Sequence, residues 1–310
     1  MANQVVKNTG MLGVVRAAKD TIIRFAMNQQ NLEDDAIAGD TILKVPQTRK
    51  FFEGETIVVR DNTIGEIRHI KKIIDENTIE ITEPLQATWI ANDMNNVAMV
   101  QKAPGGQYVK RVYLGDPDNI PDYPAITVLG NSRDEDWWTV GSTTPDWRVT
   151  VSVLFDDYST ETAYEGMLEL TASIENSLWA NRWPVLDTIV ETDLVADLNK
   201  GETVVQVDDT SLLQPNSMVM IEDLTSTEMM KVKRVIGPDS IELKNPSGCD
   251  FTVADGATVI FPSRWVMWSK PGSTDYGFVH KGTLLKASQI TWDLQEEIVR
   301  YFEFTGPVKL

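Results

Sequence analysis

The sequence predicts an α+β protein: a helix-covered antiparallel sheet core interrupted by two homologous small all-β modules. Three observations predict it. A long segment recurs 162 residues later, two apolar stripes fall at helical spacing, and Arg148-Val149-Thr150-Val151-Ser152-Val153 alternates as a half-buried strand does.

The repeat comes first because it partitions the chain. Gly39-Asp40-Thr41-Ile42-Leu43-Lys44-Val45 falls on Gly201-Glu202-Thr203-Val204-Val205-Gln206-Val207, and Ile57-Val58-Val59-Arg60-Asp61 on Val219-Met220-Ile221-Glu222-Asp223. Glu66 then meets Glu228, Lys71 meets Lys233, Trp89 meets Phe251 and Val97 meets Val259, all without a gap. The modules span 35–99 and 197–261, leaving a core of 1–34, 100–196 and 262–310. Each copy reads as five short strands, in the first 41–45, 56–61, 66–74, 78–82 and 97–100, rich in β-branched residues and separated by turn formers. So small a unit forms a barrel or sandwich with a modest core of its own.

In the core, Leu12, Val15, Ala18, Ile22 and Phe25 mark one helix over 11–30. Strands follow at 108–114 and 125–129, with Pro124 fixing the start of the latter. A hairpin comes next, 137–140 against 147–155, with its turn at 141–145 and the acidic run Asp134-Glu135-Asp136 as an exposed tip. Ala163, Met167, Leu170, Ile174 and Leu178 mark a second helix over 163–181, opened by a Thr162-x-x-Glu165 capping box and closed before Pro184. Strands at 264–269 and 284–294 end the core.

Composition narrows the function. A net charge of −18, from 28 Lys and Arg against 46 Asp and Glu, argues against gripping a phosphate backbone and fits either solubility or an acidic channel wall. No apolar run is long enough for a membrane span, and the start lacks a signal-peptide pattern. The single cysteine, Cys249, fits a reducing cytoplasm. Only two histidines are present, and His69 falls on Lys231 in the second copy. There is no phosphate-binding loop, nucleophile elbow or paired-cysteine site, so no catalytic, cofactor or metal residue is assigned. The loop Asp116-Pro117-Asp118-Asn119-Ile120-Pro121-Asp122 lacks the glycine and closing glutamate of a calcium loop. Glu66 and Glu228, repeated between the modules, read as holding a turn or a cross-strand pair rather than as catalysts. The residues singled out are Asp134, Glu135 and Asp136, as a lumen or partner contact, and Trp137, Trp138 and Trp147, as interface anchors.

The order helix, three strands, helix, strand, with an insertion after each helix, resembles the tail terminator (tail completion) proteins of tailed bacteriophages. The resemblance is carried by Tyr123-Pro124-Ala125-Ile126-Thr127-Val128, the hairpin into Val149-Thr150-Val151-Ser152-Val153, and Tyr164-x-x-Met167-Leu168-x-Leu170-x-x-x-Ile174-x-x-x-Leu178. It covers about half the core, and both modules and the stretch after Arg264 depart from the family's pattern. The resemblance implies a non-enzymatic virion protein at the neck, assembled in the host cytoplasm. It implies a ring, usually a hexamer, that caps the tail tube and contacts sheath and head–tail connector proteins, while DNA passes without specific binding and no membrane is involved. Two other readings stand beside it: a head-completion or baseplate component, and a glycan-binding surface protein.

Overall fold

The computed structural model describes residues 10–93, 96–115, 120–139, 142–155, 161–181, 185–268, 273–280 and 284–298. For 131–139, 142–148, 162–163, 186–187, 189, 263–268, 273–280 and 284–298, the backbone alone is described. Helix α1 (Met11–Thr21) continues through one π-helical turn, Ile22–Ala26. The first repeat contains β1 (Gln30–Asn31), β2 (Ile42–Lys44), β3 (Thr56–Arg60), β4 (Gly65–Ile73), β5 (Thr78–Ile81) and β6 (Met99–Lys102). Then come β7 (Val112–Leu114), β8 (Ala125–Thr139), β9 (Ser142–Phe155) and α2 (Glu161–Ala180). The second repeat follows with β10 (Val185–Asp193), β11 (Val204–Gln206), β12 (Met218–Glu222), β13 (Thr227–Gly237), β14 (Ser240–Leu243) and β15 (Thr258–Trp268). Strands β16 (Ser273–His280) and β17 (Leu284–Ile298) complete the described chain.

The expected fold class is overturned. Among the described residues the protein is mostly β, with two α-helices and two curled sheets that are antiparallel apart from the β7–β8 pair. Three apolar clusters hold it together, and helices contribute to only one of them. In that cluster Val14, Val15, Ala18 and Ile22 of the first helix, with Met167, Leu170, Ile174 and Leu178 of α2, lie against Ile126, Val128, Val149, Val151 and Val153. Each repeat packs its own cluster without a helix, around Trp89 in one and Phe251 in the other.

In the second half the repeat and the core share one sheet. Strand β15 runs unbroken from the second repeat into the core sheet, pairing with β12 and β10 early and with β17 late. One eleven-stranded sheet results, whereas the first repeat keeps a six-stranded sheet to itself. The repeats share one strand order, β1-β6-β3-β4-β5-β2 and β10-β15-β12-β13-β14-β11. Register agrees at an offset of 162 over most of it: Val59 faces Glu66 as Ile221 faces Glu228. The gapless alignment ends before the last strand. Ala36 bridges Trp89 as Leu198 bridges Phe251, but Leu32 bonds to Ala98 where Leu194 bonds to Ala257, an offset of 159. The first repeat therefore carries three extra residues in this stretch, and Val100 rather than Val97 is the counterpart of Val259.

Four local expectations change. The first helix stops at Ala26 instead of residue 30, because the Met27 amide bonds to Ile22 O and Asn28 turns left-handed at φ 42°. Leu12, placed on its buried face from the sequence, is 47% exposed. Residues 130–136 form no separate tip: β8 is continuous through them, opposite β9, which begins at Ser142. Thr162 lies inside α2, not ahead of it.

Candidate functional site

Because the chain holds two copies of one unit, groups shared by both can be separated from groups found in one. The shared groups hold turns. Asp61 Oδ1 accepts from the Thr63 amide (2.6 Å), the Thr63 hydroxyl (2.7 Å) and the Ile64 amide (2.8 Å). Asp223 Oδ1 accepts from the Thr225 amide (2.8 Å), the Thr225 hydroxyl (3.0 Å) and the Ser226 amide (2.8 Å). Glu66 accepts from the Gln86 amide and Trp89 Nε1, and Glu228 from the Gly248 amide and Ser247 hydroxyl, so both glutamates hold a loop. Lys71 pairs with Glu80 as Lys233 pairs with Glu242.

Where the copies differ, they meet. Asn96, in the longer stretch of the first repeat, donates to Asp61 Oδ2 at 2.7 Å. In the second copy the corresponding oxygen of Asp223 takes Arg49 Nη1, from the first repeat, at 3.3 Å. Arg49 also lies 3.6 Å from Asp255 and donates to Asp250 O. The Asp223 side chain is fully buried, so this ion pair fixes one repeat on the other.

Beside this junction lies a cleft of about 590 Å³, walled by the π-turn, both repeats and α2. The π-turn brings in Arg24 and Phe25, whose guanidinium and ring lie 5.0 Å apart. Arg24 also bonds Glu222 Oε2 (3.3 Å) and Asp223 O. The first repeat brings Lys50, Phe52 and Lys102. Lys102 Nζ sits 4.9 Å from the Phe52 ring centre and 2.9 Å from Glu55. Phe52 is 60% exposed, while Phe51, Trp89, Phe251 and Phe261 are core. Lys50 holds φ at 68° and Asn28 at 42°, so two of the three non-glycine residues with positive φ among those described line this cleft. Backbone strain of this kind costs about 1–3 kcal/mol and gathers where geometry serves function. From α2 come Glu169, Ser173, Asn176, Ser177 and Asn181. A second hollow of about 240 Å³ shares Arg24, Phe25 and Asn181 and adds Asp20 and Glu222. Burial raises both carboxyls above the ordinary range, against the opposing pull of Lys19 and Arg16 on Asp20 and of Arg24 on Glu222.

The sequence missed this cleft because its residues are those the second copy lacks. Lys50, Phe52 and Lys102 stand where the second repeat has Leu212, Gln214 and Phe261. The residues singled out from the sequence lie elsewhere. Asp134, Glu135 and Asp136 sit on β8 opposite Asp146, Pro145 and Thr144, and Trp137 opposite Thr143. Trp147 is on β9 opposite Arg133, and Trp138 lies at a register shift in β8; the side chains of all six fall outside the described atoms. Of the acidic loop, 116–119 is likewise outside, while Asp122 pairs with Lys110 at 2.9 Å. His69 Nδ1 meets the Thr56 hydroxyl at 3.2 Å, and burial raises the Cys249 thiol above its ordinary value, the direction opposite to that of an activated nucleophile. Among the described residues no cluster suited to a metal ion occurs, and no helix is long and apolar enough to cross a membrane.

No family model matches the chain, and neither does any curated protein. Among solved structures, part of it is similar to the Gp54 tailspike of Acinetobacter baumannii bacteriophage AP22, solved in complex with A. baumannii capsular saccharide. Identity is 13% and the TM-score 0.22 over 32% of this chain, which spans 19% of that one. So slight a likeness carries no functional argument.

Proposed function

We propose that this chain is a non-enzymatic structural subunit of a tailed-phage virion that assembles head-to-tail into a ring. On this reading it is a tail terminator at the neck, capping the tail tube and facing the head–tail connector. The observation that carries the ring is a sheet with two unlike open margins. Strands β16, β17, β9 and β8 lie side by side. Beyond Val128 the outer side of β8 pairs with nothing among the described residues, nor does the outer side of β16. Open edges invite strand addition, and two different edges on opposite margins make a heterologous contact, which gives a ring where its rotation closes. The neck position, the tube and sheath contacts and a hexameric state come from the sequence resemblance. Native mass measurement of the purified protein, with electron microscopy of virions, tests the proposal. A closed ring around the tail axis at the head end is expected; a monomer in the virion, or a position off that axis, overturns it.

A further inference from the structure

We infer that the cleft between the repeats receives the acidic hairpin of the next subunit, an inference that rests on the ring reading above. The cleft gathers Arg24, Lys50 and Lys102 against one lining carboxylate, Glu169, in a chain of net charge −18, so another copy of the chain supplies the complementary charge. Two of these cations are partly satisfied within the subunit, Arg24 by Glu222 and Lys102 by Glu55. Lys50 has no hydrogen bond or ion pair among the described residues, yet its backbone is held in a left-handed conformation. Phe52 stands beside it, exposed, in the manner of an interface anchor. The second repeat, built on the same strand order, has neither group. The occupant must therefore offer carboxylates next to apolar rings. Asp134-Glu135-Asp136-Trp137-Trp138 has that composition, and its strand belongs to the end of the β8–β9 ribbon. In that ribbon 135–139 pair with 142–145, beyond the reach of β17, which stops at Asp146. A two-stranded ribbon end can leave its own subunit without breaking other sheet pairing.

Charge exchange tests this. Lys50→Glu and the triple reversal D134K/E135K/D136K should each weaken assembly about tenfold or more in sedimentation or native mass measurements. Combined in one chain, they should restore assembly to within about threefold of the wild type. Phe52→Ala, at a position 60% exposed, should weaken assembly as well. Wild-type protein that never assembles overturns both the ring and this inference. Wild-type rings with silent Lys50 and Phe52 variants, or with no restoration, overturn the inference alone. So does a cleft that binds tetragalacturonate with loss on Lys50→Glu while assembly stays intact, since the occupant is then a saccharide.

Discussion

Glu222 shows how a single residue records the junction of the two repeats. Its carboxyl is raised chiefly by burial, and Glu191 and Asp223 add to the rise while Arg24 opposes it. A folded-state value above the unfolded one means that the folded chain holds the proton more tightly. The resulting stabilisation is complete below the ordinary carboxylate range and is lost as pH rises through the raised folded value. Glu222→Gln has no proton to lose, so its stability relative to wild type should climb as pH rises through and above the ordinary carboxylate range, by no more than about 1.4 kcal/mol per pH unit. Paired thermal melts check this, and a flat or narrowing difference sinks it. Residues of this kind are legible only in part. Glu66 and Glu228 show their role because they recur, and the structure finds both holding loops. Arg49, Lys50 and Phe52 recur nowhere, so repetition hides them.

At the scale of elements, the contact between the turn at Pro104–Gly106 and α2 decides how the first repeat sits on the helix. A Cβ on Gly105 would lie 2.6 Å from Gly166 Cα, and Gly105 also holds φ at 62°. Gly106, at φ 71°, has open space around it. Gly105→Ala should therefore cost about 2–3 kcal/mol and Gly106→Ala about 1, the conformational part alone. Denaturant titration of the two variants separates them, and equal losses would refute the close approach. From the sequence Gly105-Gly106 reads as a turn, which it is, but nothing there indicates Gly166 as its partner. The stripe of α2 was legible because burial on one face imposes its period, and the alternating run 148–153 gave its strand, although Thr150 and Ser152 are buried as well as Val149, Val151 and Val153, so that strand is covered on both faces. The long β8 was not, since Asp134, Glu135 and Asp136 are poor strand formers that cross-strand pairing with β9 overrides.

For the whole molecule, the −18 charge and the ring reading make one joint demand. Duplex DNA should show no retained complex in a gel shift at low salt, where non-specific binding is strongest. Retention at micromolar protein would remove the passive-conduit role. The fold class was the largest misreading, since helices enter only one of the three apolar clusters; the strand through Pro262 is a separate and smaller one. A proline reads as a strand boundary, yet β15 passes through it at a register shift against Thr188, which accommodates the missing amide. The apolar runs on either side looked like two elements, one per domain, when they are one.

That continuity makes the duplicated units mechanically unequal. A pull on the second repeat is carried along β15 into the sheet, loading rows of backbone hydrogen bonds in shear, where they resist together. A pull on the first repeat meets instead a few side-chain links, chiefly Arg49 to Asp223, and a handful of backbone bonds such as that from Lys102 to Met27, each of which can part in turn. One copy is built as a girder of the sheet and the other as a hinged leaf.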